Sequence, residues 1–176
     1  YLSPRLGGSL QAWAEANRVV IEREIKIYSE HDWTTSELDY LRFREGLDRD
    51  WIVGMGEIVG VDVPEGDECL TLARETSYFV TRRVRSAYLG AVDAIRQLHA
   101  AGYPLYTASA EDSYTLEGYL EGMGVRDLFR TLYGPDLVNT AKQVQEYHSR
   151  VFEGAGVAPG EAVVVDDSPL AVASAR

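Results

Sequence analysis

Cysteine occurs once in this 176-residue chain, as Cys69. A lone cysteine forms no internal disulfide, so nothing in the sequence calls for an oxidising compartment. Histidine is nearly as scarce. His31, His99 and His148 stand far apart, with no His-Glu-x-x-His or Cys-x-x-Cys string, which argues against a zinc site. Positive charge is short too: 17 Lys and Arg face 28 Asp and Glu, a formal net charge of −11. That balance is a poor footprint for nucleic acid or for an anionic membrane surface. No apolar run nears the roughly 18 residues of a transmembrane helix, and no basic start leads into an apolar stretch as in a signal peptide. A cytoplasmic location is the expectation. There is no Walker A string, no Gly-rich dinucleotide fingerprint after a strand, and no Gly-x-Ser-x-Gly elbow around Ser109.

What is present is the composition of an ordinary globular chain, 45% hydrophobic and 26% charged. Its two halves follow different patterns. Residues 1–86 read as successive helices. Ser9 is a candidate N-cap for a run carrying Leu10, Trp13, Val20, Ile21, Ile25 and Tyr28 at helical spacing. Thr35 or Ser36 starts a second run through Leu38, Leu41, Phe43 and Leu47. A third covers about Arg49 to Val59, weakened by Gly54 and Gly56. A fourth carries Leu70, Leu72, Ala73, Tyr78 and Phe79.

From residue 87 onward helices alternate with short apolar runs. Ala91 to Ala101 is amphipathic and stops at Gly102. Pro104 to Ala108 reads as a strand, Ser113 to Met123 as a helix ended by Gly124, and Thr131 to Tyr133 as a second strand. Thr140 to Phe152 reads as a helix, and Ala162 to Val165 as a third, β-branched strand. Ser168-Pro169 opens a last helix. Such alternation predicts βαβ units and a parallel sheet buried on both faces. The expected fold is α/β: an open, parallel, Rossmann-like sheet flanked by helices over residues 87–176, with an all-α unit over 1–86.

Ligands of open α/β sheets bind beyond the carboxyl ends of the strands. The first strand delivers Thr107 there, followed by Ser109. The third delivers Asp166, Asp167 and Ser168. Two adjacent carboxylates at a strand mouth suit a hard divalent cation such as Mg²⁺. Capping of the helix at Pro169 by Asp167 or Ser168 explains the same residues equally well. Thr107, with the backbone N–H groups after it, suits an anion, although a strand-end hydroxyl is also an ordinary structural feature. Lys142 stands at a helix start, where the macrodipole opposes a cation. A hydroxyl, a lysine and an acidic pair, in chain order at equivalent sheet edges, together form the set that phosphoryl transfer requires.

These strings resemble those of the haloacid dehalogenase-like (HAD) hydrolase superfamily, from about Tyr88 to Arg176. Leu89 to Ile95, with Leu98 and Ala101-Gly102-Tyr103, is similar to the family's lead-in helix. Leu105-Tyr106-Thr107-Ala108-Ser109 is similar to its second motif, Lys142 to its third, and Val163-Val164-Val165-Asp166-Asp167-Ser168-Pro169-Leu170 to its fourth. The resemblance implies that Thr107 and Ala108 bind a phosphoryl group, that Lys142 neutralises it, and that Asp166 and Asp167 bind Mg²⁺. It implies a small-molecule phosphate ester as substrate and residues 1–86 as a helical cap. Tyr28, His31, Trp33 and Tyr40 are candidate substrate-facing residues of that cap, although core or scattered surface aromatics is the better-supported reading of each.

Two departures stand out. Gln143 follows the lysine where proline is frequent, and the nucleophile motif Asp-x-Asp-x-Thr/Val is absent. Asp48-Arg49-Asp50-Trp51 has its spacing but lies among helices. The resemblance therefore implies a nucleophilic aspartate upstream of Tyr1, and at least one more strand after Arg176. A metal-free dehalogenase, a phosphoryl mutase and a non-catalytic binding protein remain as alternatives.

Overall fold

A computed structural model describes residues 1–33 and 39–175. The proposed helix start at Thr35 or Ser36, and Leu38, lie outside the described residues. The chain divides into two compact units, Tyr1–Val80 and Thr81–Arg176.

The first unit is helical. After a short α1 (Ser3–Leu6), Ser9 caps α2 (Leu10–Glu30), its hydroxyl accepting from the Ala12 N–H at 3.1 Å. Asp39 caps α3 (Tyr40–Val59) in the same way, accepting from Arg42. α4 (Gly66–Thr81) follows. The third helical run is thus not separate: Tyr40 to Val59 is one helix that runs through Gly54 and Gly56. These glycines cost helix propensity but permit close approach. A Cβ on Gly54 would stand 2.7 Å from Arg23 Nη2 and 3.2 Å from Val20 Cγ2, and one on Gly56 2.5 Å from Val63 Cγ1. The core takes Trp13, Ala16 and Val20 from α2, Ile52 and Met55 from α3, and Cys69, Leu72 and Ala73 from α4. Cys69 is fully buried, and burial raises its thiol pKa, so it packs as a small hydrophobe.

The second unit holds α5 (Ala91–Ala100), β1 (Leu105–Ala108), α6 (Ser113–Met123) and a 3₁₀ turn at Arg126–Leu128. β2 (Phe129–Tyr133), α7 (Pro135–Val138), α8 (Glu146–Ala155), a 3₁₀ turn at Pro159–Glu161 and α9 (Pro169–Ser174) follow. β1 and β2 pair in parallel, with Thr107 opposite Leu132 and Ala108 opposite Tyr133. Alternation along β2 sends these partners to opposite faces. Leu132 packs with Leu120 and Val125, and Tyr133 with Val138, Tyr147 and Val151. Both faces of the pair are therefore covered, as parallel strands require. Gly124 closes α6 in the left-handed region (φ 67°), which an L side chain seldom adopts.

Two expectations are corrected. Residues 162–166 are in no strand ladder: the sheet among the described residues has two strands, and Val163 and Val165 are about 91% and 89% exposed. A β-branched run takes strand form only against a neighbouring ladder, and this one has none here. The helix expected from Thr140 begins at Glu146, because residues 140–145 form turns after Asn139, whose φ is 45°. Asparagine tolerates that left-handed conformation, which ends α7 and redirects the chain.

Ile52 is fully buried in the first core. Ile52→Ala should lower stability by about 2–5 kcal/mol in equilibrium denaturation, the cost of removing buried methyl and methylene groups and leaving a cavity.

Candidate active site

Lys142 and Asp166 meet in the second unit. Lys142 Nζ donates to Asp166 Oδ2 at 2.5 Å, and the two side chains are 15% and 12% exposed. Each arrives by local geometry. Lys142 sits in the turns between α7 and α8, where Asn139 has reversed the chain. Asp166 ends the extended run from Ala162, and its Oδ1 accepts the Ser168 N–H at 2.8 Å. Ser168 in turn caps α9, accepting from Ala171 at 3.4 Å, with Pro169 in the first turn. The cap reading of this segment holds for Ser168, while Asp166 is committed to the lysine.

The pairing sets the charge state. The Lys142 hydrogen bond is the largest influence, helped by the Ser168 N–H and opposed by burial, and it holds the Asp166 carboxyl below its ordinary pKa. Asp167 is exposed beside it.

Thr107 stands at the end of β1, where Oγ1 donates to the Tyr133 carbonyl at 3.0 Å. The Ser109 N–H donates to the same carbonyl at 3.2 Å. Ala108 is the last residue of β1 and is half-buried. The first N–H of the following helix is occupied: Asp136 Oδ1 accepts from Ser113 N at 2.8 Å and its Oδ2 from Ser113 Oγ at 2.5 Å. The Thr107 hydroxyl, the Ser109 N–H and the first N–H of α6 are thus all held by acceptors of the chain itself. Among the described residues no hydrogen bond or ion pair links Thr107 or Ala108 to the Lys142–Asp166 pair.

Sequence reasoning did not single out Tyr147. Its ring is fully buried, and Oη donates to Ser109 O at 2.7 Å and, more weakly, to Tyr133 O at 3.4 Å. One hydroxyl of α8 thus pins the loop after β1. Helical spacing marks Tyr147 and Val151 as one inward face, but no pattern announces the carbonyl that the hydroxyl meets. His148 beside it is 2% exposed, with Nδ1 3.1 Å from Ser174 Oγ. Burial, aided by the charge of Lys142, lowers its pKa and favours the neutral ring.

Asp166 and Asp167 are the residues that fit a metal. Among the described residues no cluster of three His, Cys, Asp or Glu side chains converges as a metal site. Two neighbouring carboxylates with oxygen donors match a hard cation that completes its shell with water and substrate. Two surface cavities, of about 420 and 290 Å³, are lined elsewhere, one by residues that include Arg5 and Glu75 and the other by residues that include Tyr114 and Arg130. The candidate site rests on its paired polar groups rather than on concavity.

The profile of the haloacid dehalogenase-like hydrolase family matches residues 7–176, nearly the whole chain. The chain belongs to this family. No curated protein and no solved structure matches it. Membership in the HAD-like hydrolases supports a hydrolase broadly, and the match includes the helical first unit from residue 7 onward. Among the described residues no helix is long and apolar enough to cross a membrane.

Lys142→Met tests the pair. An acid whose folded pKa is depressed contributes stability above its unfolded pKa, and loses it as pH falls through the folded value. Removing the lysine should raise the Asp166 titration midpoint, read by carboxyl NMR, and flatten the loss of stability on acidification. It should also cost roughly 2 kcal/mol at neutral pH, since a largely buried carboxylate loses its charged donor.

Proposed function

We propose that this HAD-like hydrolase is a Mg²⁺-dependent phosphohydrolase acting on a small phosphorylated metabolite. The observation that carries the reading is the Lys142–Asp166 pair, with Asp167 next in sequence, at the end of the Val163–Val165 run. A lysine beside two carboxylates offers one positive and two negative groups within one small site. That mixture suits a phosphate ester held with a cation better than it suits a bare carboxylate substrate, which the one negative charge left over after Lys142 pairs with Asp166 would oppose.

In this reading Lys142 holds one phosphoryl oxygen and keeps the nearby carboxylate ionised. Thr107 turns its hydroxyl from the Tyr133 carbonyl to a second oxygen, and the Ala108 N–H adds a backbone donor. Tyr147 keeps the loop after β1 in place while this exchange occurs. Asp166 and Asp167 hold Mg²⁺, which when bound supplies charge stabilisation to the phosphoryl oxygens.

The nucleophile is assigned to an aspartate upstream of Tyr1, because no Asp-x-Asp string in these residues follows a strand. Its carboxylate oxygen attacks phosphorus, the ester P–O bond breaks, and the alcohol leaves with a proton from a second upstream aspartate. Water then cleaves the aspartyl-phosphate, releasing inorganic phosphate and restoring the carboxylate.

The polypeptide carrying the upstream residues should hydrolyse para-nitrophenyl phosphate with Mg²⁺ and lose that activity in EDTA. Asp166→Asn should cut kcat by about 10²-fold or more, the scale expected when charge stabilisation at the transferring group is lost. Activity indifferent to EDTA, or halide release from a 2-haloacid without metal, would contradict the reading. So would an upstream sequence without Asp-x-Asp.

A further inference from the structure

The contact between α2 and α3 carries a polar stretch that the catalytic reading does not use. At one end, Trp51 Nε1 donates to Asn17 Oδ1 at 2.8 Å, and Val20 packs against Gly54. At the other end, Tyr28 meets Phe43 edge-on, with ring centroids 6.1 Å apart. Between these apolar and neutral contacts lies Glu24, only 7% exposed. Its Oε1 is fully shielded from solvent and accepts no hydrogen bond among the described residues.

Two arginines of this region lie against another carboxylate, Asp48. Asp48 is 2% exposed, and Arg44 Nη2 holds it at 2.7 Å. Arg74, from α4, stands 3.9 Å from Asp48 Oδ2 and 3.7 Å from Glu45. The groups that act on Glu24 are Arg44, Asp48 and Asp50 on α3 and Arg23 on its own helix. Two cations are thus set against two anions, one of which, Asp48, already pairs with Arg44. Ionising Glu24 here places a second negative charge beside Asp48, out of water and without a donor on Oε1.

We propose that Glu24 is a proton switch in the first unit: it is carried as the uncharged acid while α2 and α3 are in contact, and its ionisation loosens that contact. Burial is the largest influence, with Arg44 opposing it and Asp48 adding to it, and together they raise the Glu24 pKa from 4.5 to about 7. The folded unit therefore binds more protons than the unfolded chain between those values. Stability from this group is complete below the unfolded pKa and is lost as pH rises through about 7. The switch is independent of the catalytic assignment, since none of its residues belongs to the site above.

Glu24→Gln keeps the shape and removes the titration. Wild type and variant should be unfolded by denaturant between pH 5 and pH 8.5. Over that range the wild-type unfolding constant should rise on the order of 10²-fold relative to the variant. Amide exchange in α2 and α3, corrected for its intrinsic pH dependence, should quicken at pH 8 in wild type and not in Glu24→Gln. Carboxyl NMR on the unmodified protein reads the same claim if the variant does not fold: Glu24 should titrate near neutrality, and Asp48→Asn should move its midpoint down. A Glu24 midpoint near 4.5, or parallel pH profiles for the two proteins, would overturn the proposal.

Discussion

A single ion pair organises the polar end of the second unit. Lys142 and Asp166 are 24 residues apart and come from two segments that are not helices or strands. Their 2.5 Å contact gives both segments a fixed end, and neither side chain is fully solvated. A pair so placed is sensitive to the loss of either member, because the survivor keeps its charge without its partner. The Ser168 cap and the turns after Asn139 are the local devices that deliver the two groups. The pair's contribution is therefore as much positional as energetic.

The two units rest on different kinds of support. The first depends on close helix packing, with glycines in α3 admitting side chains of α2 and of the segment after α3. The second depends on a parallel strand pair covered on both faces and on hydroxyl-to-carbonyl ties at its end. The Tyr133 carbonyl collects donors from Thr107, Ser109 and Tyr147, so the β1 end, the loop after it and α8 share one acceptor. Rearranging any of the three would release donors at the edge where an anion is expected.

Much of this was legible in the residues, for reasons that can be named. Ser9 before an amphipathic run marks a helix start, and Gly124 marks a stop, because both act through the nearest few backbone groups. The order of Thr107, Lys142 and Asp166 indicated one chemistry, and the structure joins two of the three. Legibility fails where the outcome depends on distant partners. Gly54 and Gly56 look like breaks until their neighbours are known. Ala162 to Val165 has strand composition, yet a ladder needs a second strand that these residues do not supply. Tyr147 and Glu24 carry no local signature, since their importance lies in a carbonyl and a carboxylate met across the fold.

The central claim is that Thr107, Lys142 and the two aspartates serve one phosphoryl group. A crystal structure of the protein with Mg²⁺ and a phosphate mimic such as tungstate tests it most directly. The account predicts the anion within hydrogen-bond reach of Thr107 Oγ1 and Lys142 Nζ, with the cation on Asp166 or Asp167. An anion bound elsewhere, with Lys142 still closed on Asp166 and no cation on either aspartate, would contradict it.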